Sequence, residues 1–289
     1  MEGLSVLLVA TDSSELLAYP ERLSARLEVD GYLFFRDLLP ETQVNGVADS
    51  VLAELGERGW LTGVGQAPRT AWAAPPPDRH VEDEDYWQTY AAVQSLEEFH
   101  RLGHSAELAA VREAVLGPES FTLPLKVLRM VRPYTAQLKK IIHRDYAAFR
   151  IPGMLTAWLP LVDCPQDLGG LKILRGSHRD IPEEDQVSEL SVNNGNWVSA
   201  NYRVGDVIVF HCLTVHAGQP NQSGDRIRLS ADFRWQSSHT PVPQWVCQPH
   251  QSARIPGWAE LTQGWSSQAW IDIPDGVATT GGDGSVFHG

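Results

Sequence analysis

The stretch that decides the fold is GDVIVFHCLTVHAGQPNQSGDRIRLSADFRW, residues 205–235. It contains two segments rich in β-branched and aromatic residues, at 207–211 and 226–235, separated by a turn of Gly, Pro, Asn and Ser. In the second segment charged or polar residues alternate with apolar ones, which is typical of a strand with one buried face. The stretch therefore predicts two β-strands joined through a polar turn.

Similar short segments recur from about residue 121 up to this stretch. They read FTLPLKVLRMV, QLKKII, GMLTAWLPLV and GGLKILRGS, and turn residues separate them. No helical segment of convincing length lies between them, so an antiparallel sandwich or barrel is favoured over a parallel α/β sheet. Residues 20–115, in contrast, mostly have helical spacing, with DGYLFF at 30–35 as a short strand.

The length of 289 residues is compatible with one large domain. We predict a single domain over 1–289 with three parts. The first, 1–120, is mostly helical, and the second, 121–236, is the β core. The third, 237–289, is rich in Trp, Pro and Gly and is expected to wrap the core or form a lid.

Composition narrows the class of protein. The net charge of −13 argues against a nucleic-acid partner or an anionic membrane surface, because both require a cationic footprint. We expect a small-molecule substrate and make no prediction of oligomeric state. The three cysteines are far apart and form no CxxC, which favours a reducing cytoplasm. No basic signal-peptide start or membrane-length apolar segment is evident.

The triplet HRD at 143–145 is a candidate pair of metal ligands. Residues i and i+2 of a strand point to the same side, so His143 and Asp145 at a strand end would aim an imidazole and a carboxylate at one point. Alone, such a triplet is more often an ordinary polar pair. His216, at the end of a strongly apolar strand, would complete the two-histidine, one-carboxylate set of a non-haem Fe(II) oxygenase.

A candidate anion-binding residue follows. Arg226 opens the next strand and, if buried, could pair bidentately with a dicarboxylate. Arg228 has the same strand parity and is the alternative candidate. Both arginines could instead form one charged strand face.

Five motifs in order extend this pattern. They are HRD at 143–145, TAWLPLVD at 156–163, GGLKILRGSH at 169–178, GDVIVFHCLTVHAGQPNQS at 205–223 and RIRLSADFRW at 226–235. This ordered set resembles the phytanoyl-CoA dioxygenase-like branch of the Fe(II)/2-oxoglutarate oxygenases and covers about residues 121–236. The resemblance implies a mainly β fold with flanking helices, a double-stranded β-helix or jelly roll of the cupin type.

The resemblance also implies roles for individual residues. His143, Asp145 and His216 would be the catalytic Fe(II) ligands, and Arg226 would bind the distal carboxylate of 2-oxoglutarate. The turn before Arg226 is one residue shorter than in many family members, so Arg228 is retained as the alternative. Three further residues are assigned to the co-substrate site, with the first two on the inner face of one strand: Thr156, Trp158 and Lys126.

The implied activity is that of a dioxygenase using Fe(II), 2-oxoglutarate and O₂ to hydroxylate an unactivated C–H bond of a small metabolite. Related halogenases have Gly or Ala where Asp145 stands, so hydroxylation is favoured over chlorination. A natural-product intermediate is the expected substrate. Desaturation, ring formation and epimerisation stay open. A non-catalytic jelly-roll binding protein and a metal cupin independent of 2-oxoglutarate are the alternatives from other classes.

Overall fold

Two facing β-sheets and a set of flanking helices make up the fold. The computed structural model describes residues 7–62, 70–71, 84–133, 142–180 and 195–281. The strands are β1 (Leu8–Val9), β2 (Tyr32–Phe35), β3 (Ser120–Thr122), β4 (Val127–Val131), β5 (Leu155–Pro160), β6 (Leu171–Leu174), β7 (Trp197–Ser199), β8 (Val207–His211), β9 (His216–Gly218), β10 (Arg228–Ser237), β11 (Val242–Pro243) and β12 (Thr279–Thr280).

The helices precede the core strands for the most part. They are α1 (Pro20–Asp30), α2 (Glu41–Glu57), α3 (Glu84–Gln94), α4 (Glu97–Leu102), α5 (Ala106–Leu116), α6 (Asp145–Phe149), α7 (Ser177–Asp180) and α8 (Trp258–Leu261). Three 3₁₀ turns lie at Ser14–Leu16, Gln166–Leu168 and Gln244–Cys247. Helix α2 follows Pro40 and buries apolar residues at spacings of three and four, which places them on one helix face.

The larger sheet has the order β2-β8-β5-β10-β3, and β4 also pairs with β10. All its pairings are antiparallel. Strand β10 is long enough to pair with both β4 and β3 along one edge, while β5 lies along the other. This arrangement places the inner faces of β4, β5 and β10 side by side.

The smaller sheet has the order β1-β7-β6-β9 and covers the inner face of the larger one. Strand β6 is antiparallel to β7 and β9, and β1 runs parallel to β7. A buried cluster between the two sheets contains Phe34, Trp158 and Phe210 from the larger sheet and Ile173 and Val198 from the smaller one. The pair of sheets therefore encloses a filled interior, as in a jelly roll.

Alternation along β10 separates the two layers of the core. One set of residues packs with the helices in the largest apolar cluster: Leu229, Ala231, Phe233 and Trp235. The intervening residues are polar yet buried: Arg228, Ser230, Asp232, Arg234 and Gln236. Because side chains alternate across a strand, these polar residues line the inner face. The inner face of β10 therefore carries buried charged side chains, which is unusual for an apolar core and typical of a binding or catalytic site.

The predicted mainly β fold, a jelly roll with flanking helices, is confirmed. The N-terminal part also supplies β1 and β2 to the two sheets. The C-terminal segment packs against α4, where the Glu97 carboxylate accepts hydrogen bonds from Ser266 and from the Trp270 indole. The division of 1–289 into three parts of one domain stays a prediction.

Membrane insertion through a helix finds no support in the part of the chain that the structure describes. None of the described helices is long and apolar enough to cross a bilayer.

Candidate active site

The two histidines of the predicted triad lie opposite each other on adjacent segments of backbone. His216 begins β9, and His143 forms an isolated antiparallel bridge with it. His143 N donates to His216 O at 3.1 Å, and His216 N donates to His143 O at 3.0 Å. Reciprocal backbone bonds of this kind fix the two residues opposite each other, and their ring centroids are 4.2 Å apart.

Asp145 reaches the same point from a different element. The prediction that it shares a strand end with His143 is wrong, because Asp145 is the first residue of helix α6. After the bridge at His143 the chain turns, and Tyr146 N donates to Cys212 O at 2.9 Å. Ala147 and Ala148 then favour helix. The turn still directs the Asp145 side chain toward the two histidines.

The three side chains form one compact donor set. Asp145 Oδ1 lies 3.7 Å from His143 Nε2 and 3.6 Å from His216 Nε2. One donor atom from each residue lies within 4.8 Å of the others, close enough to hold one metal ion. Asp145 and His216 are buried, whereas the His143 side chain is 36% exposed, so the site faces solvent on the His143 side. Two imidazoles and one carboxylate fit a non-haem iron centre.

The surroundings keep His216 in the form that binds a metal. Its Nδ1 lies 2.9 Å from Thr214 O, a carbonyl that can only accept, so Nδ1 carries the proton and Nε2 keeps its lone pair. Burial, followed by the charge of His143, lowers the pKa of His216 to about 4. The imidazole is therefore neutral at physiological pH.

Asp145 is held as a carboxylate. Burial by itself raises the pKa of this group, but Arg234 and the two histidines of the triad outweigh it. The Thr156 hydroxyl adds a hydrogen bond to Oδ2. Together they hold the pKa of Asp145 well below its usual range, so the group is ionised and available as a ligand at neutral pH.

Thr156 and Trp158 lie on β5 with their side chains on the inner face, as expected. Thr156 contacts the triad through Asp145. Trp158 is buried one strand repeat further on, and its ring packs against Tyr202 with centroids 4.7 Å apart. Their assignment to the co-substrate site stays a prediction.

The two candidate arginines occupy different environments. Arg226 precedes β10, and its side chain is 27% exposed and paired with Asp167 and Asp225. The Asn221 and Ser223 side chains bond to its backbone carbonyl and thereby close the turn. The structure does not bring Arg226 to the interior.

Arg228, two residues later, points into the interior and is 5% exposed. Its Nη1 donates to Gly169 O, and its Nε is buried without a hydrogen-bond partner among the described residues. Gly169 has a φ of +79°, and a Cβ there would lie 2.3 Å from Pro220 O, so only glycine fits this approach. No described carboxylate pairs with Arg228.

Ser230 shares the inner face of β10 with Arg228. Its hydroxyl is also buried without a partner among the described residues. A buried cation and a buried hydroxyl at positions i and i+2, both with unused donors, fit a carboxylate ligand. The residues present therefore suit one end of a dicarboxylate such as 2-oxoglutarate.

Lys126 lies elsewhere. It precedes β4, and its Nζ donates to Trp270 O at 2.5 Å and lies 3.4 Å from Leu123 O. A Cβ on Gly103 would approach both Lys126 and Phe233, a residue of the helix-facing layer. The structure therefore does not bring Lys126 to the triad. Burial lowers its pKa to about 7.

A charged network beside the triad was not predicted. Arg234 Nε lies 3.4 Å from Asp145 Oδ2, and Arg234 Nη2 lies 3.6 Å from Asp232 Oδ2. Arg129 on β4 pairs with the same Asp232 oxygen at 3.1 Å. The signal was present in RIRLSADFRWQ, where charged or polar residues occupy every second position and apolar residues occupy the others.

Comparisons with known proteins agree with this geometry. The family model of phytanoyl-CoA dioxygenase (PhyH) matches residues 27–230, more than half of the chain. The 1-deoxypentalenic acid 11-beta-hydroxylase of Streptomyces exfoliatus is 25% identical over 265 residues, covering 81% of this chain and 89% of the relative.

Solved structures show the same fold. The non-haem, alpha-ketoglutarate-dependent carbocyclase SnoK of nogalamycin biosynthesis has a TM-score of 0.56 at 19% identity, covering 81% of this chain and 89% of its own. The epimerase SnoN in complex with Fe³⁺, alpha ketoglutarate and nogalamycin RO has a TM-score of 0.54 at 23% identity, covering 78% and 86%. The chain therefore belongs to the phytanoyl-CoA dioxygenase family of iron- and 2-oxoglutarate-dependent oxygenases.

Proposed function

We propose that the protein hydroxylates an unactivated C–H bond of a small natural-product intermediate, with consumption of 2-oxoglutarate and O₂ and release of succinate and CO₂. The observation that carries the proposal is the donor set of His143, Asp145 and His216, with its atoms within 4.8 Å of one another. The buried, anion-seeking pair Arg228 and Ser230 supports the choice of co-substrate.

The chain's own residues would perform three tasks. The triad would hold Fe(II), which when bound supplies the activation of O₂ coupled to oxidation of 2-oxoglutarate. Arg228 and Ser230 would bind the distal carboxylate of the co-substrate and fix its orientation. We favour Arg228 over Arg226 for this role because the Arg226 side chain is 27% exposed and already paired with Asp167. The buried inner face would exclude bulk water from the reacting atoms.

The substrate class is inferred from two features. The relative from Streptomyces exfoliatus is named as a hydroxylase of 1-deoxypentalenic acid, a small molecule, and this supports an equally small natural-product substrate. Asp145 occupies the position that halogenases leave without a carboxylate, so oxygen insertion is favoured over halide transfer. The net charge of −13 argues against nucleic acid as a substrate.

The proposal is tested by incubating the protein with Fe(II), 2-oxoglutarate, O₂ and a panel of terpenoid and polyketide intermediates. We expect succinate in amounts equal to a product that has gained one oxygen atom, and no succinate above background from Asp145→Ala. A wild-type protein that binds the metal but forms no succinate with any substrate would favour a non-catalytic binding protein. Substrate turnover that ignores 2-oxoglutarate would favour a metal cupin of another kind.

The same assay distinguishes the other oxidative outcomes. Desaturation and ring formation would each remove two hydrogen atoms, and epimerisation would leave the product mass unchanged, while succinate still forms. The solved structures of an epimerase and a carbocyclase with this fold support keeping these reactions as alternatives. The product mass therefore decides the reaction class independently of the co-substrate.

We also propose a cytoplasmic location. All three cysteines are free, and Cys164 and Cys212 are buried. Unpaired thiols of this kind are typical of a reducing compartment. Fractionation of the producing cells followed by detection of the protein tests this, and recovery outside the cytoplasmic fraction would contradict it.

A further inference from the structure

The two oxygen atoms of Asp145 have different neighbours. Oδ1 faces the histidine nitrogens, at 3.7 Å from His143 Nε2 and 3.6 Å from His216 Nε2. Oδ2 accepts the hydrogen bond from Thr156 and lies 3.4 Å from Arg234 Nε. One oxygen of the Asp145 carboxylate therefore faces the predicted metal position, and the other contacts Thr156 and Arg234.

Arg234 contacts both ends of the helix that carries Asp145. Its guanidinium lies 4.3 Å from the centroid of the Phe149 ring, and its Nε lies beside Asp145. Asp145 and Phe149 are four residues apart in α6, so both side chains lie on one face of the helix. A five-residue helix is not stable alone, so the position of α6 depends on tertiary contacts, and those with Arg234 are among them.

Arg234 is itself held by charge rather than by hydrogen bonds. It is 2% exposed, and its Nε and Nη1 have no aligned hydrogen-bond partner among the described residues. Its charged neighbours are Asp145 and Asp232, and Asp232 also pairs with Arg129 on the adjacent strand. A buried arginine placed only for packing would be expected to satisfy its donors. The alternating charges instead form a chain that leads to Asp145.

We propose that Arg234 is a positioning residue for the metal ligand. With Thr156 it holds Oδ2 of Asp145 and presents Oδ1 to the metal, and Asp232 and Arg129 hold Arg234 in turn. This inference rests on the proposed metal site. It assigns a role in metal binding to a residue that does not contact the metal, and outer partners of metal ligands commonly determine affinity in this way.

The test is calorimetric titration of Mn(II) into the apo-protein. Arg234→Gln keeps the length and polarity but removes the charge, and we expect its Mn(II) Kd to rise about 10- to 100-fold. Arg234→Lys keeps a point charge and should show a smaller rise. Thr156→Val should also raise the Mn(II) Kd, whereas Thr156→Ser keeps the hydroxyl and should bind Mn(II) with a Kd close to that of the wild type.

A matched control is Arg36→Gln. Arg36 pairs with Asp206, whose carboxylate is also buried. Asp206 precedes the first residue of β8, whereas Phe210, which contacts His216, lies near the other end of that strand. The Arg36–Asp206 pair is therefore a buried ion pair at the end of β8 away from the triad. Its loss should lower the melting temperature while leaving the Mn(II) Kd unchanged. An effect of Arg234→Gln confined to the melting temperature would mean a merely structural role and would overturn the proposal.

The outcomes separate the inference from the proposed function. If the Arg234→Gln variant folds and binds Mn(II) with wild-type affinity, the inference is overturned. If that variant does not fold, the Thr156→Val variant decides, and wild-type Mn(II) affinity there overturns the inference. If Asp145→Ala binds Mn(II) as tightly as the wild type, the metal site itself is wrong. Loss of binding in Asp145→Ala without loss in the Arg234 and Thr156 variants contradicts only the inference.

Discussion

Arg228→Ala should weaken 2-oxoglutarate binding far more than Arg226→Ala. Arg228 is 5% exposed and has no carboxylate partner among the described residues. Removing one partner of a buried charge pair costs about 3–5 kcal/mol, which corresponds to roughly a 100- to 5,000-fold rise in Kd. The Arg226 side chain is 27% exposed and already paired within the chain. A pair of that kind contributes at most about 1 kcal/mol, or about fivefold in Kd.

The assay is anaerobic calorimetric titration of 2-oxoglutarate into Mn(II)-loaded wild type and variants. Arg228→Lys should give an intermediate Kd, because lysine keeps the charge but loses the two-pronged contact. Ser230→Ala tests the neighbouring hydroxyl and should cost less than Arg228→Ala. The assignment is refuted if Arg226→Ala abolishes binding while Arg228→Ala leaves the Kd within a few-fold of wild type.

Three further predictions concern stability. Burial lowers the pKa of Lys126 from 10.5 to about 7. Since one pKa unit is about 1.4 kcal/mol, the buried charge on Lys126 destabilises the fold by about 5 kcal/mol below pH 7. This penalty disappears as the pH rises toward 10.5. Urea titrations should show unfolding free energy rising from pH 7 to 10 in wild type but much less in Lys126→Met; parallel curves would contradict this. Phe233→Ala, at a fully buried site, should lose about 3–5 kcal/mol by the same method without changing the Mn(II) Kd, and a loss below about 1 kcal/mol would contradict the packing. Gly169→Ala should lower both the melting temperature and the 2-oxoglutarate affinity, because it displaces the carbonyl that accepts from Arg228; an unchanged variant would contradict the close approach.

The antiparallel β core was predictable because its strands alternate, whereas the jelly roll was implied by the family resemblance. In RIRLSADFRWQ every second residue is apolar, and these residues do form the helix-facing layer. Strand parity does not separate Arg226 from Arg228, so the sequence prediction of Arg226 rested on the family resemblance, with Arg228 as the alternative. The difference between them arises because β10 begins at Arg228, whereas Arg226 lies in the turn that Asn221 and Ser223 close. Hydrogen bonds of a turn are not readable from parity.

Two other positions show where local pattern fails. Asp145 was placed on a strand because it stands two residues from His143, yet a backbone bond from Tyr146 to Cys212 turns the chain into α6. The sequence prediction assigns Lys126 to the co-substrate site, yet Lys126 precedes β4 and contacts the C-terminal segment at Trp270. Both outcomes depend on partners far away in sequence. The contact between Asp145 and Arg234 likewise joins residues far apart in sequence, so local pattern does not predict it.

The most direct test of the account is the absorption band that forms when Fe(II) and 2-oxoglutarate bind together under anaerobic conditions. We expect the wild-type protein to show this metal-to-ligand charge-transfer band. His143→Ala, Asp145→Ala and His216→Ala should each lose it or require far more Fe(II). A wild-type protein without the band, or three variants that keep it at wild-type Fe(II) concentrations, would contradict the assignment of the iron site.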